Sequence, residues 1–391
     1  SKETTMRSIT RNQFLGAMLT GAASRMVGES AGGVQKEKDI LIYNDPKYYA
    51  TFPSMVRRPD GEILVAFRRC PERRPLGNPR TYHADPNGYL VMVRSMDNGE
   101  TWTKEPSLIL AHPYGSSQDP CMVQLDDGSI ICTSYLWEWV GPFPKLPPQL
   151  QEDAHTFLGG FLLRSQDGGR SWQGPYLPPP IPGRAGRDFS GNLLPASNRG
   201  AMCQGRNGRL YWAVASSLPG SPTEIHLMTS EDRGLTWQYS CPIAADSKVA
   251  FNETSLYETP KGDILAFVRT AGFDDHTVVV RSTDGGKSFG RWQDARFQGH
   301  PHYALRLPDN RVWLVYGYRH PPFGVRARVL NAECTDFTTA PECVLRDDGG
   351  TYDLGYPWAV PLPGNRILSV YYFNRDNGTR HIAGTIVRIA S

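Results

Sequence analysis

Nine residues before six turn-forming positions, Gly61, Gly128, Gly208, Gly262, Asn310 and Asn365, the chain carries Phe52, Asp119, Arg199, Glu253, Pro301 and Tyr356. Seven residues after their own turns stand Arg68 and Arg269, and Arg319 lies nine after its turn. Two carboxylates, a phenol and several guanidiniums at related offsets can move protons and hold an anion, provided the fold brings these positions together.

The surrounding elements are suited to that. Each turn residue lies between short apolar runs: SMVRRPDGEILVAF, CMVQLDDGSIICTS, AMCQGRNGRLYWAV, SLYETPKGDILAFV, YALRLPDNRVWLVY and WAVPLPGNRILSVY. Gly and Asn supply the positive φ of tight turns, so six antiparallel hairpins are predicted. A second motif follows four of them: SMDNGETW from residue 95, SQDGGRSW from 165, SEDRGLTW from 230 and STDGGKSF from 282. Hairpin, box and flanking strands make a four-stranded antiparallel unit, whose edges are shielded when the units repeat around an axis.

The expected fold class is therefore all-β, with residues 38–391 forming a single six-bladed β-propeller of four-stranded antiparallel blades. DILIYND near the N-terminus and HIAGTIVRI near the C-terminus are the partners expected to close the ring. A seventh blade is the structural alternative, since the interval between the first two boxes and the Pro-rich GPYLPPPIPGRAG leave room for it. Inner strands of a propeller converge on its axis, so the six varied positions are expected at one funnel mouth.

The boxes themselves read as scaffold. Asp97, Asp167, Asp232 and Asp284 can each accept backbone N–H bonds within their own turn, beside a permissive Gly and an aromatic ring to bury. A catalytic carboxylate is not needed four times over at equivalent places.

Composition removes several function classes. With 42 basic against 39 acidic residues and no long Lys/Arg run, nucleic acid is not an expected partner. The seven Cys form no CxxC pair or Cys/His cluster at zinc spacing, although Cys334 and Cys343 are placed to bridge a loop. GHPHY and YRHPPF offer poor ligand geometry, so neither a metal nor a cofactor is expected.

Residues 1–37 include MRSITRNQFLGAMLTGAASRM, a basic start, a short apolar run and small residues. This is the pattern of an export signal or leader, with TRNQFLG resembling a twin-arginine motif that has Asn12 at the second Arg. An exported, periplasmic or extracellular protein is expected. No stretch is long and apolar enough to span a membrane.

Boxes and hairpins together resemble the sialidase (neuraminidase) superfamily, six-bladed propellers whose boxes are called Asp boxes or BNR repeats. NETSLYETPKGDILAFVR is similar to the family segment in which an Asn-Glu pair precedes an active-site Arg, which maps Glu253 and Arg269. YPWAVPLPGNRI resembles the strand start that carries the family's Tyr nucleophile, mapping Tyr356, and Arg319 falls near the third carboxylate-binding Arg.

The resemblance implies an exo-glycosidase that removes a terminal acidic sugar from glycans. A neutral phenol avoids repulsion from the sugar's carboxylate, a neighbouring Glu takes its proton on attack, and arginines hold the carboxylate.

Two departures qualify it. The family's first Arg, in a Phe/Tyr-Arg-Ile-Pro motif, is replaced by Thr51 in ATFPSMV, so Arg68 is a candidate substitute and another ulosonic or uronic acid is as admissible as sialic acid. The acid/base Asp has no clean counterpart, leaving Asp85, His83 and Asp119 as candidates. A propeller lyase or His-dependent glycosidase using His83, His300 or His302 on uronate-containing glycans is the second reading, with the two later histidines also candidate substrate contacts. A non-catalytic carbohydrate-binding propeller is the third.

Overall fold

The computed structural model describes residues 33–76, 85–139, 155–216 and 218–390. The chain forms six antiparallel sheets around one axis, with only a single 3-10 turn, Arg74–Leu76, among the described residues. Blade 1 contains Tyr48–Arg57, Ile63–Pro71, Tyr89–Ser95 and Ser107–Leu110. In blade 2 the inner strand is split into Gly115–Ser117 and Cys121–Gln124, both paired with Ile130–Trp139, and His155–Ser165 and Gln173–Tyr176 complete the sheet.

Blade 3 runs through Cys203–Gln204, Leu210–Ala215, Ile225–Ser230 and Gln238–Ala244. Blade 4 has Ala250–Glu258, Ile264–Ala271, His276–Ser282 and Gln293–Gln298. Blade 5 has His302–Arg306, Val312–Tyr318, Gly324–Leu330 and Glu342–Arg346. Blade 6 takes Gly355–Leu362, Arg366–Phe373 and His381–Ile389 from the end of the chain and its outer strand, Val34–Tyr43, from the beginning. Pairing runs from Val34 opposite Ile389 to Tyr43 opposite Ile382, and no seventh sheet is present among the described residues.

The core is six apolar seams, one between each pair of neighbouring blades. Trp313 and Tyr371 fill the seam of blades 5 and 6, while Trp212 and Ile131 fill that of blades 2 and 3. A strand buried on both faces needs near-continuous apolar sequence, which is what ILVAF at residues 63–67 and VWLVYG at 312–317 supply. All seven cysteines are free thiols. Cys334 lies in the seam of blades 4 and 5 and Cys343 in that of blades 5 and 6, so the loop bridge suggested by the sequence does not form.

Each box is fastened as expected. Asp97 Oδ1 accepts from Ser95 Oγ at 2.8 Å and from Thr101 N at 2.9 Å, while Oδ2 accepts from Thr101 Oγ1 at 2.5 Å. The same Ser and Thr/Ser partners recur around Asp167, Asp232 and Asp284. These hydrogen bonds hold the Asp97 carboxyl down at about 2.

The boxes also bind blades to one another. A Cβ on box residue Gly99 would meet Leu368 and Ile40 of blade 6, one on Gly234 would meet Ile131 of blade 2, and one on Gly286 would meet Leu227 of blade 3. Each box thus presses on the blade before it. In the other direction, Arg94 donates to the box carbonyls of Gly168 and Gly169 at 3.0 and 2.7 Å, and Arg164 reaches Arg233 O at 2.6 Å.

Gly234 and Gly128 have nearly equal φ, +80° and +82°, but a Cβ on Gly128 meets nothing whereas one on Gly234 falls 2.4 Å from buried Ile131 Cδ1. Gly128→Ala is therefore expected to cost about 1–2 kcal/mol of backbone strain. Gly234→Ala is expected to cost a further ~1–3 kcal/mol from overpacking. Denaturant unfolding of the two variants measures the difference, and equal losses would remove the box glycine from inter-blade packing.

Candidate active site

Inner strands in a regular sheet would aim successive side chains to alternate faces. In three blades the ladder breaks first. Thr51 pairs with Arg68 and Ser54 with Ala66, so one extra residue is bulged out around Phe52 and Pro53. Phe251 pairs with Thr270 and Thr254 with Val268, enclosing Asn252 and Glu253. Gly355 pairs with Tyr372 and Trp358 with Val370, enclosing Tyr356 and Pro357.

Pro53 and Pro357 have no N–H to give the ladder, which accounts locally for two of the bulges. Phe52 and Tyr356 take φ of 56° and 54°, a costly region for aromatic residues that concentrates at functional sites. Asp119 precedes Pro120 in the gap between the two inner strands of blade 2.

These irregular positions meet. Tyr356 Oη donates to Glu253 Oε1 at 2.5 Å, and Arg269 Nη1 donates both to Glu253 Oε2 at 2.7 Å and to Tyr356 Oη at 3.1 Å. The Arg319 guanidinium lies 5.0 Å from the centre of the Tyr356 ring and that of Arg199 lies 5.1 Å from it. Phe52 packs on the same ring, with centroids 4.8 Å apart. Asp119 is buried, and its Oδ1 makes no hydrogen bond.

The electrostatics separate the two carboxyls. Burial alone would raise Glu253, but the charge of Arg269 and the hydrogen bonds from Tyr356 and Arg269 outweigh it and hold the group at about 2. Asp119 has no such partner. Burial lifts it to about 7, the pull of Arg199 countering only part of that and Glu253 adding repulsion. Tyr356 is raised by burial and then by the Glu253 charge, so its phenol is neutral at physiological pH. The resting arrangement is an ionised Glu, a neutral Tyr and a carboxyl poised near neutrality.

Other expected residues lie elsewhere. Arg68 is fully buried and directed to Ser116 of blade 2, 2.9 Å from its Nη2, while Thr51 Oγ1 opposite it is buried without a hydrogen bond. Asp85 is ion-paired with Arg73, and its Oδ1 accepts from Asn87 N at 2.9 Å, a local turn. His83 lies outside the described residues. His302 Nε2 contacts Thr277 Oγ1 at 2.7 Å among the Phe267, Phe297 and Tyr316 rings, and burial pushes it down to about 3.

His300 is close enough to feel Arg269, Arg319 and Glu253. Its Nε2 is 3.6 Å from Asp275, whose other oxygen is 3.0 Å from His320 Nε2. Tyr135 was not anticipated. It lies in the field of Asp119, Glu253 and Tyr356, on the strand paired with the split inner strand of blade 2, and it stands seven residues after Gly128, in the register of Arg68 and Arg269, which was the signal that could have found it.

Residues 143–361 match the family described as BNR repeat-like domain. The chain belongs to that family, within the sialidase superfamily. This BNR-repeat protein is 55% identical to a Dyadobacter fermentans protein of unknown function, with a TM-score of 0.87 over 92% of this chain and 100% of that one. A sialidase of Micromonospora viridifaciens is 23% identical over 371 residues, 91% of this chain and 53% of the relative, so the chain spans about half of that curated relative. The NanB sialidase from Streptococcus pneumoniae is alike in fold, with a TM-score of 0.64 at 14% identity over 90% of this chain and 70% of that one. No helix among the described residues of the BNR-repeat protein is long and apolar enough to cross a membrane.

The position of Asp119 in this fold has a thermodynamic consequence. Its carboxyl is raised in the folded state from 3.8 to about 7, so its ionisation penalises folding increasingly as pH climbs between those values. Asp119→Asn removes that penalty. The variant is expected to match wild type in unfolding free energy near pH 3.5 and to exceed it at pH 8, on the order of 2–4 kcal/mol. A stability difference that does not change with pH would contradict the burial of an ionisable Asp119.

Proposed function

We propose that this protein is an exo-glycosidase that removes a terminal acidic sugar from glycans, with Tyr356 as nucleophile. The observation carrying this reading is the 2.5 Å contact of Tyr356 with Glu253, bridged by an Arg269 nitrogen that touches both. Arg269 and Arg319 hold the sugar's carboxylate. In the first step the Tyr356 oxygen bonds to the anomeric carbon while Glu253 takes the phenolic proton and Asp119 protonates the departing glycosidic oxygen. Water then attacks the tyrosyl sugar, giving its proton to Asp119, and Glu253 returns a proton to Tyr356.

A carboxyl held at about 2 is a weak base in the empty site. An anionic sugar that pairs with Arg269 competes with Glu253 for the same guanidinium and so raises the proton affinity of Glu253. The base strengthens when the correct charge arrives. Sialic acid is the first substrate to test, on the strength of the sialidases among the relatives, and Thr51 in place of an arginine keeps other ulosonic and uronic acids in the set. Export to a periplasm or the extracellular space fits access to such glycans and remains part of the proposal. The His-dependent alternative has less support, because His302 is enclosed in a seam and His300 Nε2 faces Asp275.

A panel of sialosides, other ulosonides and uronides, assayed with wild type and Tyr356→Phe, tests the reading. Wild type is expected to release one class of acidic sugar, without an unsaturated product. Tyr356→Phe should lose turnover by at least about a thousandfold while still binding the sugar. Retention of turnover in that variant, or no release from any member, would sink the hydrolase.

The pH profile adds a second check. An acid that must be protonated and sits at about 7 predicts that kcat/KM falls above neutrality. Asp119→Asn is expected to abolish that limb and to slow substrates with poor leaving groups by about 10²–10⁴. A wild-type profile flat to pH 9 would remove Asp119 from the acid role.

A further inference from the structure

Arg319 does not stand alone at the rim. Its Nη2 donates to Tyr372 Oη at 2.8 Å and its Nε to Leu354 O at 3.1 Å. Tyr372 in turn donates to Asp353 Oδ1 at 2.9 Å. Asp353 Oδ2 accepts from Tyr49 Oη at 2.9 Å and from Arg380 Nε at 2.8 Å. Tyr49 and Tyr372 are fully buried, and Tyr372 packs on both Phe52 and Tyr356.

The direction of this chain is fixed. A phenol has one proton, and Tyr372 spends it on Asp353, which leaves its lone pairs to accept from Arg319. A carboxylate is the group able to receive the three donors at once, since an amide in its place would set one of its own N–H groups against a donor. Arg319 is thereby pinned over the Tyr356 ring by Nε and Nη2, and among the described residues its Nη1 has no hydrogen bond to protein. A free Arg would lose up to ~2 kcal/mol of rotamer entropy on binding an anion, and a pinned one has already lost it.

We propose that Asp353 is a positioning residue for anion binding: acting through Tyr372, it holds Arg319 with one guanidinium nitrogen left for the ligand's carboxylate. This rests on the reading of Arg319 as a contact to an acidic sugar. It gives a reason why a site with Thr51 at the first arginine position can work with two arginines, because the second of them is supplied pre-oriented.

The test compares wild type with Tyr372→Phe, Asp353→Asn and Tyr49→Phe. The readouts are steady-state kinetics on the acidic glycoside that wild type cleaves and calorimetric binding of free N-acetylneuraminic acid and glucuronic acid. Tyr372→Phe keeps the ring and its packing but removes the link to Arg319. It is expected to raise KM and the Kd of the free acid about tenfold, with kcat within about twofold, a loss of ~1.4 kcal/mol confined to binding. Asp353→Asn is expected to follow it.

Tyr49→Phe also removes a donor to Asp353 but does not touch Arg319, and is expected to leave both constants within about twofold of wild type. Unchanged KM and Kd in Tyr372→Phe, or an equal rise in Tyr49→Phe, would overturn the proposal while leaving the glycosidase reading in place. Wild type that neither cleaves nor binds any acidic sugar overturns both.

Discussion

The site depends on a buried cation at the axis. Arg199 leaves blade 3 and its Nη2 donates to Pro53 O of blade 1 at 3.1 Å and to Tyr356 O of blade 6 at 3.2 Å. Its Nη1 approaches Cys121 Sγ of blade 2 at 3.8 Å, and its own carbonyl accepts from Thr254 N of blade 4 at 3.0 Å. A guanidinium without solvent is costly unless its donors are met. Here the Nη2 donors are met by the carbonyls of Pro53 and Tyr356, both within bulged segments. One residue, by its side chain and its carbonyl, therefore links the segments carrying Tyr356, Phe52, Asp119 and Glu253, and Trp358 lies 5.3 Å away as a further face for its charge.

That cation also sets the electrostatic character of the funnel floor. Arg199 and Arg319 lie against the Tyr356 ring, Arg269 touches its oxygen, and Arg68 is buried in the neighbouring blade. Against them stand Glu253 and Asp119, and one of those is near half protonation at neutral pH. The balance is positive, so the pocket is prepared for an anion. Tyr356, whose phenol is raised by burial and by the Glu253 charge, stays neutral there and adds no negative charge of its own. Asp353 reaches Arg319 through Tyr372 and so anchors the guanidinium without lying against it.

Much of this was legible in the sequence, for a physical reason. Tight turns require Gly or Asn, so Gly61 to Asn365 display the blade period directly, and counting from them placed Glu253 and Tyr356 together. The Ser-x-Asp-x-Gly motif was equally plain because its hydrogen bonds are local. What escaped was the set of bulges, although Pro after Phe52, Asp119 and Tyr356 was a signal for them. Arg68 shares its offset with Arg269 but is directed to Ser116 and Cys70, and the first of these contacts depends on the neighbouring blade and not on register. His300 and His302, two residues apart, meet different surroundings, one facing Asp275 and the other enclosed by aromatic rings. Tyr135 and Tyr372 stand seven residues after their turns, in the register of Arg68 and Arg269, and were open to the same count, whereas Asp275 and Asp353 act across blades and have no counterparts in the repeat to betray them.

The bulges have a consequence for how such a protein changes over time. A residue within a regular strand serves two masters, since its backbone holds the sheet and its side chain faces a seam. Phe52, Glu253 and Tyr356 are excused from the first duty, because the ladder on either side of each is already paired without them. Their identities are therefore set by the seam and the site and not by the ladder. The same ring can present a phenol, a carboxylate or a bare phenyl group at that level, and a site built this way can shift its chemistry one blade at a time.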